Sequence, residues 1–211
     1  RSAPDCRVRL GSLEPRTVTE DFCRRAKALP NLCPHFHLSM QSGCDTVLKR
    51  MNRKYDTARY YESVSLLRAR FDDPAITTDL IVGFPGETEE EFEQTLAFLA
   101  RCAFSAMHIF PYSRRPGTPA DKMPGQMPNA VKEERAHRAA EAAARMEQDY
   151  LRRWVGRTLT VLFEEKRDGL WHGHTTRYTE VAVSSEETLH NQVRPVRIDR
   201  VEGSILHGCV N

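Results

Sequence analysis

Apolar positions from Cys6 to about Ala130 fall into short alternating or continuous runs separated by stretches of helical period, the pattern of strands alternating with helices. Cys6–Gly11 (CRVRLG) predicts a short strand. Thr17 and Glu20 have capping-box spacing, and the helix they would open carries Phe22, Ala26 and Leu29. His35–Met40 (HFHLSM) predicts the next strand, followed by a Gly43 turn, an N-cap at Asp45 and a short helix with Val47, Leu48 and Met51. A further helix is expected from about Ala58 to Arg70, with Tyr61, Val64 and Leu67 on its period. Ala75–Val82 (AITTDLIV) is a β-branched run suited to a strand buried on both faces. Phe84-Pro85-Gly86-Glu87 has type II turn chemistry, and Thr88 with Glu91 makes a second capping box. The helix beyond it holds Phe92, Leu96, Phe98 and Leu99, and Ala106–Phe110 predicts a fourth strand.

Strands separated by helices of this length imply parallel β/α units. Right-handed crossovers would curve four such strands into part of a barrel or a doubly wound sheet, with ligands at the C-terminal strand ends. Tyr112–Pro128 is a loop rich in Pro, Gly and basic residues, and Ala130–Trp154 predicts a long Ala-rich helix laced with opposite charges, Glu141 and Arg145 among them. Character then changes. Leu159–Phe163, Tyr178–Val183, Val196–Val201 and Ile205–Val210 predict short strands, and Asp168-Gly169 is a hairpin signal. The expected organisation is an α/β segment over 1–154, including a connecting helix over 130–154, and a small five-stranded all-β barrel over 155–211. Barrels of this size commonly offer a face to oligonucleotides.

Charge narrows the partners. Lys plus Arg total 31 and Asp plus Glu 29, a formal net charge of +2, which excludes a polybasic nucleic-acid wrapper while leaving local patches. No run approaches the roughly 20 apolar residues of a membrane span, and no signal peptide is read, so a cytoplasmic location is expected. The six cysteines (Cys6, Cys23, Cys33, Cys44, Cys102, Cys209) form neither a CxxC pair nor a CxxxCxxC triplet; reduced thiols are expected, with no metal site. The chain opens at Arg1-Ser2-Ala3 without Met and reads as a piece of a longer protein.

Three segments carry candidate chemistry. In Thr77–Thr88, Asp79 interrupts an apolar strand, where a carboxylate is costly without a partner, while Gly83 and Gly86 let backbone approach a ligand. A strand–turn–helix joint would alone account for the turn and cap; Asp79 tips the segment toward ligand binding. In His37–Cys44 and Met51–Tyr55, Gln41 and Ser42 stand at a strand end to which Arg53 returns after one short helix. Amide, hydroxyl and guanidinium together suit a zwitterionic amino acid or ribose hydroxyls, against ordinary turn polarity as the bland account. In His108–Pro119, aromatic and arginine side chains share a loop, although composition alone favours a rigid Pro/Gly loop with exposed charge. His35 with His37, and His172 with His174, each share a strand face, and packing or rim polarity explains them better than metal ligation. Cys44 lies near the strand-end mouth but has no paired histidine for a nucleophile.

Taken in order, Arg9–Pro15, HLSMQSGCDTVLKRMNRKY, ITTDLIVGFPGETEEEF and HIFPYSRRPGTPADKMP resemble the radical-SAM tRNA methylthiotransferases. The branch acting on threonylcarbamoyladenosine beside the anticodon is the nearer match, and the Tyr112–Ala120 form looks more like the tRNA branch than the ribosomal-protein-modifying branch. The C-terminal barrel, with Gly156, Gly173-His174-Thr175 and Tyr178, looks like the family's TRAM RNA-binding domain. The resemblance implies the second half of a partial (β/α)6 barrel, with S-adenosylmethionine lying across the strand ends. It implies ligand contacts from Gln41, Arg53 and Asp79, with Ser12, Ser42, Gly83, Pro85, Gly86 and Tyr112 as further cofactor neighbours. For tRNA it suggests Arg114, Arg115, Arg152, Arg153, His174, Arg177 and Tyr178. It also implies two 4Fe-4S clusters in the whole enzyme. The family's cluster cysteines have no counterpart in this chain, so it is expected to ligate neither cluster and to be inactive alone; catalytic residues are not assigned. An open strand edge near Arg7–Leu10 would favour self-association. Alternatives are a stand-alone RNA-binding scaffold with a degenerate half-barrel, or a ribosomal-protein methylthiotransferase.

Overall fold

The computed structural model describes residues 6–210. Arg1–Ala3, on which the reading of a cut chain rests, and Asn211 lie outside the described residues. Four strands, β1 (Ser12–Leu13), β2 (His35–Leu38), β3 (Ala75–Val82) and β4 (Ala106–Pro111), form a parallel sheet in the order of the chain. Helices α1 (Glu20–Lys27), α2 (Asp45–Arg50), α3 (Thr57–Arg70) and α4 (Glu89–Cys102) lie in its connections, and α5 (Asn129–Arg152) follows β4. An order that never reverses is that of a segment of a β/α barrel and lacks the switch point of a doubly wound sheet.

Period-two alternation divides the sheet into two faces. Phe36, Leu38, Ile76, Leu80 and Val82 enter a core shared with Tyr60, Val64, Leu67, Phe92, Leu99 and Phe104. Each such apolar side chain contributes roughly 1.5–3 kcal/mol by leaving water. The alternate positions His35, His37, Thr77, Asp79 and His108 make a polar opposite face, aligned by the pairs His37↔Thr77 and Asp79↔His108.

Three local expectations are corrected. Cys6–Gly11 is not a paired strand: Val8 makes an isolated bridge to Leu32, and regular pairing begins at Ser12. Arg7 donates to the carbonyls of His174 (3.1 Å) and Thr160 (3.2 Å), so its side chain ties this stretch to strands of the C-terminal barrel. The cap of α1 is Thr19, whose hydroxyl accepts the Phe22 N–H, because Pro15 starts a separate 3-10 turn that ends at Thr17. Asp45 is the first residue of α2 behind Cys44, and its carboxylate accepts the Thr57 N–H at 2.8 Å, joining α2 to α3.

The Thr88–Glu91 capping box is present in both directions. Glu91 also takes a bidentate contact from Arg50 and a hydroxyl from Thr46, which tie α2 to the start of α4. The Arg50 hydrogen bonds hold its carboxyl down at about 2. A depressed carboxyl stabilises the fold above its unfolded range, near ~4.3, and loses that contribution as pH falls through the folded value. Glu91→Gln should therefore flatten the acid limb of a circular-dichroism titration between those two points; an unchanged limb would count against this node.

Five strands close a barrel in the order β5 (Thr158–Arg167), β6 (Leu170–Thr175), β7 (Glu180–Val183), β9 (Ile205–Val210), β8 (Val193–Glu202). Asp168 (φ +50°) and Gly169 (φ +81°) make the two-residue turn that joins β5 to β6. β6 has no counterpart among the strands read from sequence, because Gly173 interrupts its apolar pattern. That glycine is a packing requirement: a Cβ there would lie 2.2 Å from the Leu162 carbonyl oxygen. β7 begins at Glu180, two residues later than expected, since Tyr178 adopts φ +59°. The barrel core of Val161, Phe163, Val181, Val196, Ile198 and Leu206 continues into Tyr150, Leu151 and Trp154 near the end of α5 and into Ala75 of β3.

Candidate functional site

The end of β2 departs from regular pairing. His37 pairs with Thr77, but Gln41 bridges Leu80, so the register offset falls by one residue and Leu38–Met40 hold a bulge. Gln41 emerges at φ +69°, a conformation that non-glycine residues adopt rarely and at a cost of about 1–3 kcal/mol. Its N–H nevertheless donates to the Asp79 carbonyl at 2.9 Å, and its own carbonyl accepts the Ile81 N–H at 2.9 Å. Gln41 and Asp79 are thus locked side by side through backbone.

Asp79 is half-buried on the polar face, its Oδ2 3.3 Å from His37 Nε2, while His37 Nδ1 lies 3.0 Å from Thr77 Oγ1. His108 stands opposite Asp79 on β4. Arg53 follows α2, anchored by its N–H to the Leu48 carbonyl at 2.9 Å, and its Nε is buried without a hydrogen-bond partner. The neighbouring Tyr55 hydroxyl reaches the carbonyls of Ser39 (2.8 Å) and Met40 (3.0 Å), which brings this segment to the same strand end. Ser12 shares a 2.6 Å hydroxyl contact with Ser39 there.

Other expected site residues are already engaged. Ser42 is buried, and its hydroxyl accepts the Cys44 N–H at 3.2 Å. The close approach at Gly83 (φ +71°) is made by Lys132, whose Cγ would lie 2.4 Å from an added Cβ. Gly86 (φ +74°) donates its N–H to the Gly125 carbonyl at 2.9 Å, and Pro85 is buried between them. Tyr112 packs edge-on to Phe84 (5.3 Å between centroids), and its hydroxyl is buried without a partner. Beside it, Ser113, Arg114, Asn129, Lys132 and Glu133 line a cavity of about 480 Å³ at the end of β4.

A second cavity, of about 460 Å³, opens on the polar face toward the barrel and brings together Ser12, His174, Arg177 and Tyr178, which the sequence suggested for separate ligands. Arg9, His35, His37, His108 and Tyr178 are among its walls. Burial, with Arg9 second, pushes His35 down to about 4, so it is neutral at physiological pH. The spacing of His35 and His37 and the carboxylate of Asp79 were the sequence signals for this face.

The residues suggested for RNA divide. Arg177 donates to the carbonyls of Asp73 (2.8 Å) and Asp72 (2.7 Å) and lies over the Trp154 ring, serving the joint between sheet and barrel. Arg153 pairs with Asp73 at 3.8 Å. Tyr178 is stacked on His174 (4.5 Å, 14° between planes), and the Arg9 guanidinium also lies over its ring, 3.8 Å from the centroid. Arg114 is held by Asp121, whereas Arg115 and Arg152 stay exposed.

Residues 3–99 match a family model described as Radical SAM superfamily. Over 156 residues the chain is 47 % identical to tRNA-2-methylthio-N(6)-dimethylallyladenosine synthase of Mycobacterium sp. (strain MCS), covering 74 % of this chain and 30 % of that protein. Threonylcarbamoyladenosine tRNA methylthiotransferase MtaB of Thermotoga maritima is 45 % identical over 160 residues, 76 % of this chain and 37 % of its own length. The chain therefore spans about a third of these curated relatives. Coproporphyrinogen III oxidase (HemN) of Escherichia coli, a radical SAM enzyme, superposes with a TM-score of 0.53 at 14 % identity, over 82 % of this chain and 47 % of that one; the likeness is of fold.

Proposed function

We propose that this chain, a member of the radical SAM superfamily through residues 3–99 and similar to tRNA methylthiotransferases, is the part of such an enzyme that holds S-adenosylmethionine at its strand ends and meets tRNA through its barrel. The observation that carries the reading is the strand-end constellation. Gln41 is forced left-handed and bonded to Asp79, and Arg53 keeps a buried Nε that the protein itself leaves without an acceptor. Strained backbone and unpaired buried donors of this kind call for an account, and a ligand at the strand ends supplies one.

The donor set suits the cofactor. Asp79 accepts from an ammonium or ribose hydroxyls, Arg53 donates to a carboxylate, and the Gln41 amide serves either end. Ser12 and Tyr112 are further neighbours of that strand-end mouth. When bound, S-adenosylmethionine supplies radical chemistry at carbon 2 of the target adenine and the methyl group of the product. The protein's own task is to bind it, orient it and exclude water. The iron–sulfur clusters do not fit this chain: among the described residues no three His, Cys, Asp or Glu side chains are grouped to hold a metal ion, and all six cysteines are separate free thiols. Their ligands lie elsewhere in this reading, and the chain alone is inactive.

The barrel is read as a TRAM-like module, with Arg114, Arg115 and Arg152 as phosphate neighbours. Among the described residues no helix is long and apolar enough to cross a membrane. Relatives named for dimethylallyladenosine and for threonylcarbamoyladenosine are about equally similar, 47 % and 45 %. The threonylcarbamoyl substrate is the reading adopted here, on the resemblance of the ordered motifs, while the Tyr-Ser-Arg-Arg-Pro-Gly-Thr-Pro run at 112–119 favours the tRNA branch over the ribosomal-protein one.

Two experiments test this. Calorimetric titration should show S-adenosylmethionine binding that weakens about 10- to 100-fold in Arg53→Ala and in Asp79→Asn, the loss expected of a charge-assisted hydrogen bond. Binding indifferent to both substitutions removes the site. A strain lacking the gene should lose the 2-methylthio group from threonylcarbamoyladenosine; loss from dimethylallyladenosine instead would move the chain to the other branch.

A further inference from the structure

The bulge that ends β2 is held by hydroxyl groups, and we infer that Thr78 and Tyr60 are positioning residues for the strand-end site, fixing Gln41 in its left-handed conformation. The inference rests on the reading of Gln41 as a ligand group. An extra residue in β2 leaves the Met40 N–H and the Leu38 carbonyl without regular ladder partners across β3, and buried backbone groups require partners. Thr78 supplies them from within β3: its Oγ1 accepts the Met40 N–H at 3.1 Å and donates to the Leu38 carbonyl. Tyr60 brings its hydroxyl from α3 to 2.9 Å from the same carbonyl and 3.2 Å from Thr78 Oγ1.

Both side chains are wholly buried. Thr78 lies in a strand otherwise suited to Val, and the Tyr60 ring is edged by Phe98 and Phe104. A hydroxyl in such surroundings is costly unless it is used. Here both are spent on one carbonyl and one N–H, three residues or fewer before or at the turn into Gln41. Once past the bulge, Gln41 rejoins the ladder through Asp79 and Ile81. The bracket therefore sets where the shifted register begins, and with it the backbone angle at residue 41.

Thr78→Val and Tyr60→Phe remove the hydroxyls and keep the shapes; Thr78→Ser keeps the hydroxyl. In Thr78→Val, exchange of the Met40, Gln41 and Ile81 amides should accelerate about tenfold or more. Barrel amides should stay unchanged, and Thr78→Ser should behave as wild type. S-adenosylmethionine affinity should fall in Thr78→Val and return in Thr78→Ser. Unchanged exchange at Met40 and Gln41 in both hydroxyl-deleted variants overturns the inference, as does an equal acceleration in Thr78→Ser. Should Thr78→Val not fold, Tyr60→Phe carries the exchange measurement. A wild-type chain that takes no S-adenosylmethionine defeats the proposed site, and the exchange arm still decides the bracket.

Discussion

Arg135→Met should lower the unfolding free energy in urea by about 3–5 kcal/mol, the cost of stranding one member of a buried ion pair. Arg135 and Glu87 are only 4 % and 2 % exposed, and their charged groups meet at 2.7 Å. Arg135 on α5 also donates to the Glu87 carbonyl at 3.0 Å, and Glu87 accepts the Gly83 N–H at 3.1 Å. The pair thus fastens the long helix to the turn after β3. Burial already raises the Glu87 carboxyl, with the Gly83 N–H and Arg135 opposing it. An acid raised in the folded state is favoured when protonated, so its stability contribution is lost as pH rises. Removing Arg135 raises it further, and the penalty should be larger at pH 8 than at pH 5. Pairing the substitution with Glu87→Leu should recover part of the loss, since an apolar pair needs no charge partner while the Gly83 N–H loses its acceptor. A double variant as weak as the single one would refute this account.

Gly208→Ala is expected to destabilise the barrel by about 3 kcal/mol, near the upper end for overpacking. An added Cβ would lie 2.0 Å from the Arg197 carbonyl oxygen and 2.9 Å from its carbon. Both belong to the backbone of β8, paired with β9 in a closed barrel. A closed ladder has no free edge along which to slide, so the strain stays local until strands part. Near-ultraviolet circular dichroism through Trp171 and Trp154 should report it on heating, both rings lying in the barrel core. Gly11→Ala, with nothing within 4 Å of its added Cβ, is the control and should fall within about 0.5 kcal/mol of wild type. Equal melting of the two variants would remove the packing argument.

What sequence made legible was local. β3 matches Ala75–Val82 as expected, the Thr88 box and the Asp168-Gly169 turn form where their chemistry puts them, and α5 runs close to its predicted limits. Each depends on residues within a few positions of one another. Apart from the shifted helix caps and the late start of β7, the errors depend on distant partners. Arg7 and Arg9 draw the first segment toward the barrel, Gly173 hides β6 because its use is a carbonyl on another strand, and Arg177 is spent on Asp72 and Asp73. The candidate site shows the same division. Gln41 and Asp79 stand out in the chain, but the shifted register that sets them side by side needs both strands in view. Ser42, Gly83 and Gly86 look equally available in sequence, and the fold occupies them with its own backbone and Lys132.

Tyr178 bears on the proposal that the barrel meets a polynucleotide. A nucleobase seeking its ring as a platform would have to evict a guanidinium, forgoing roughly 0.5–2 kcal/mol before gaining anything. His174 and Arg9 stack on this ring and His35 stands at an angle beside it, so a flat partner finds the platform already taken.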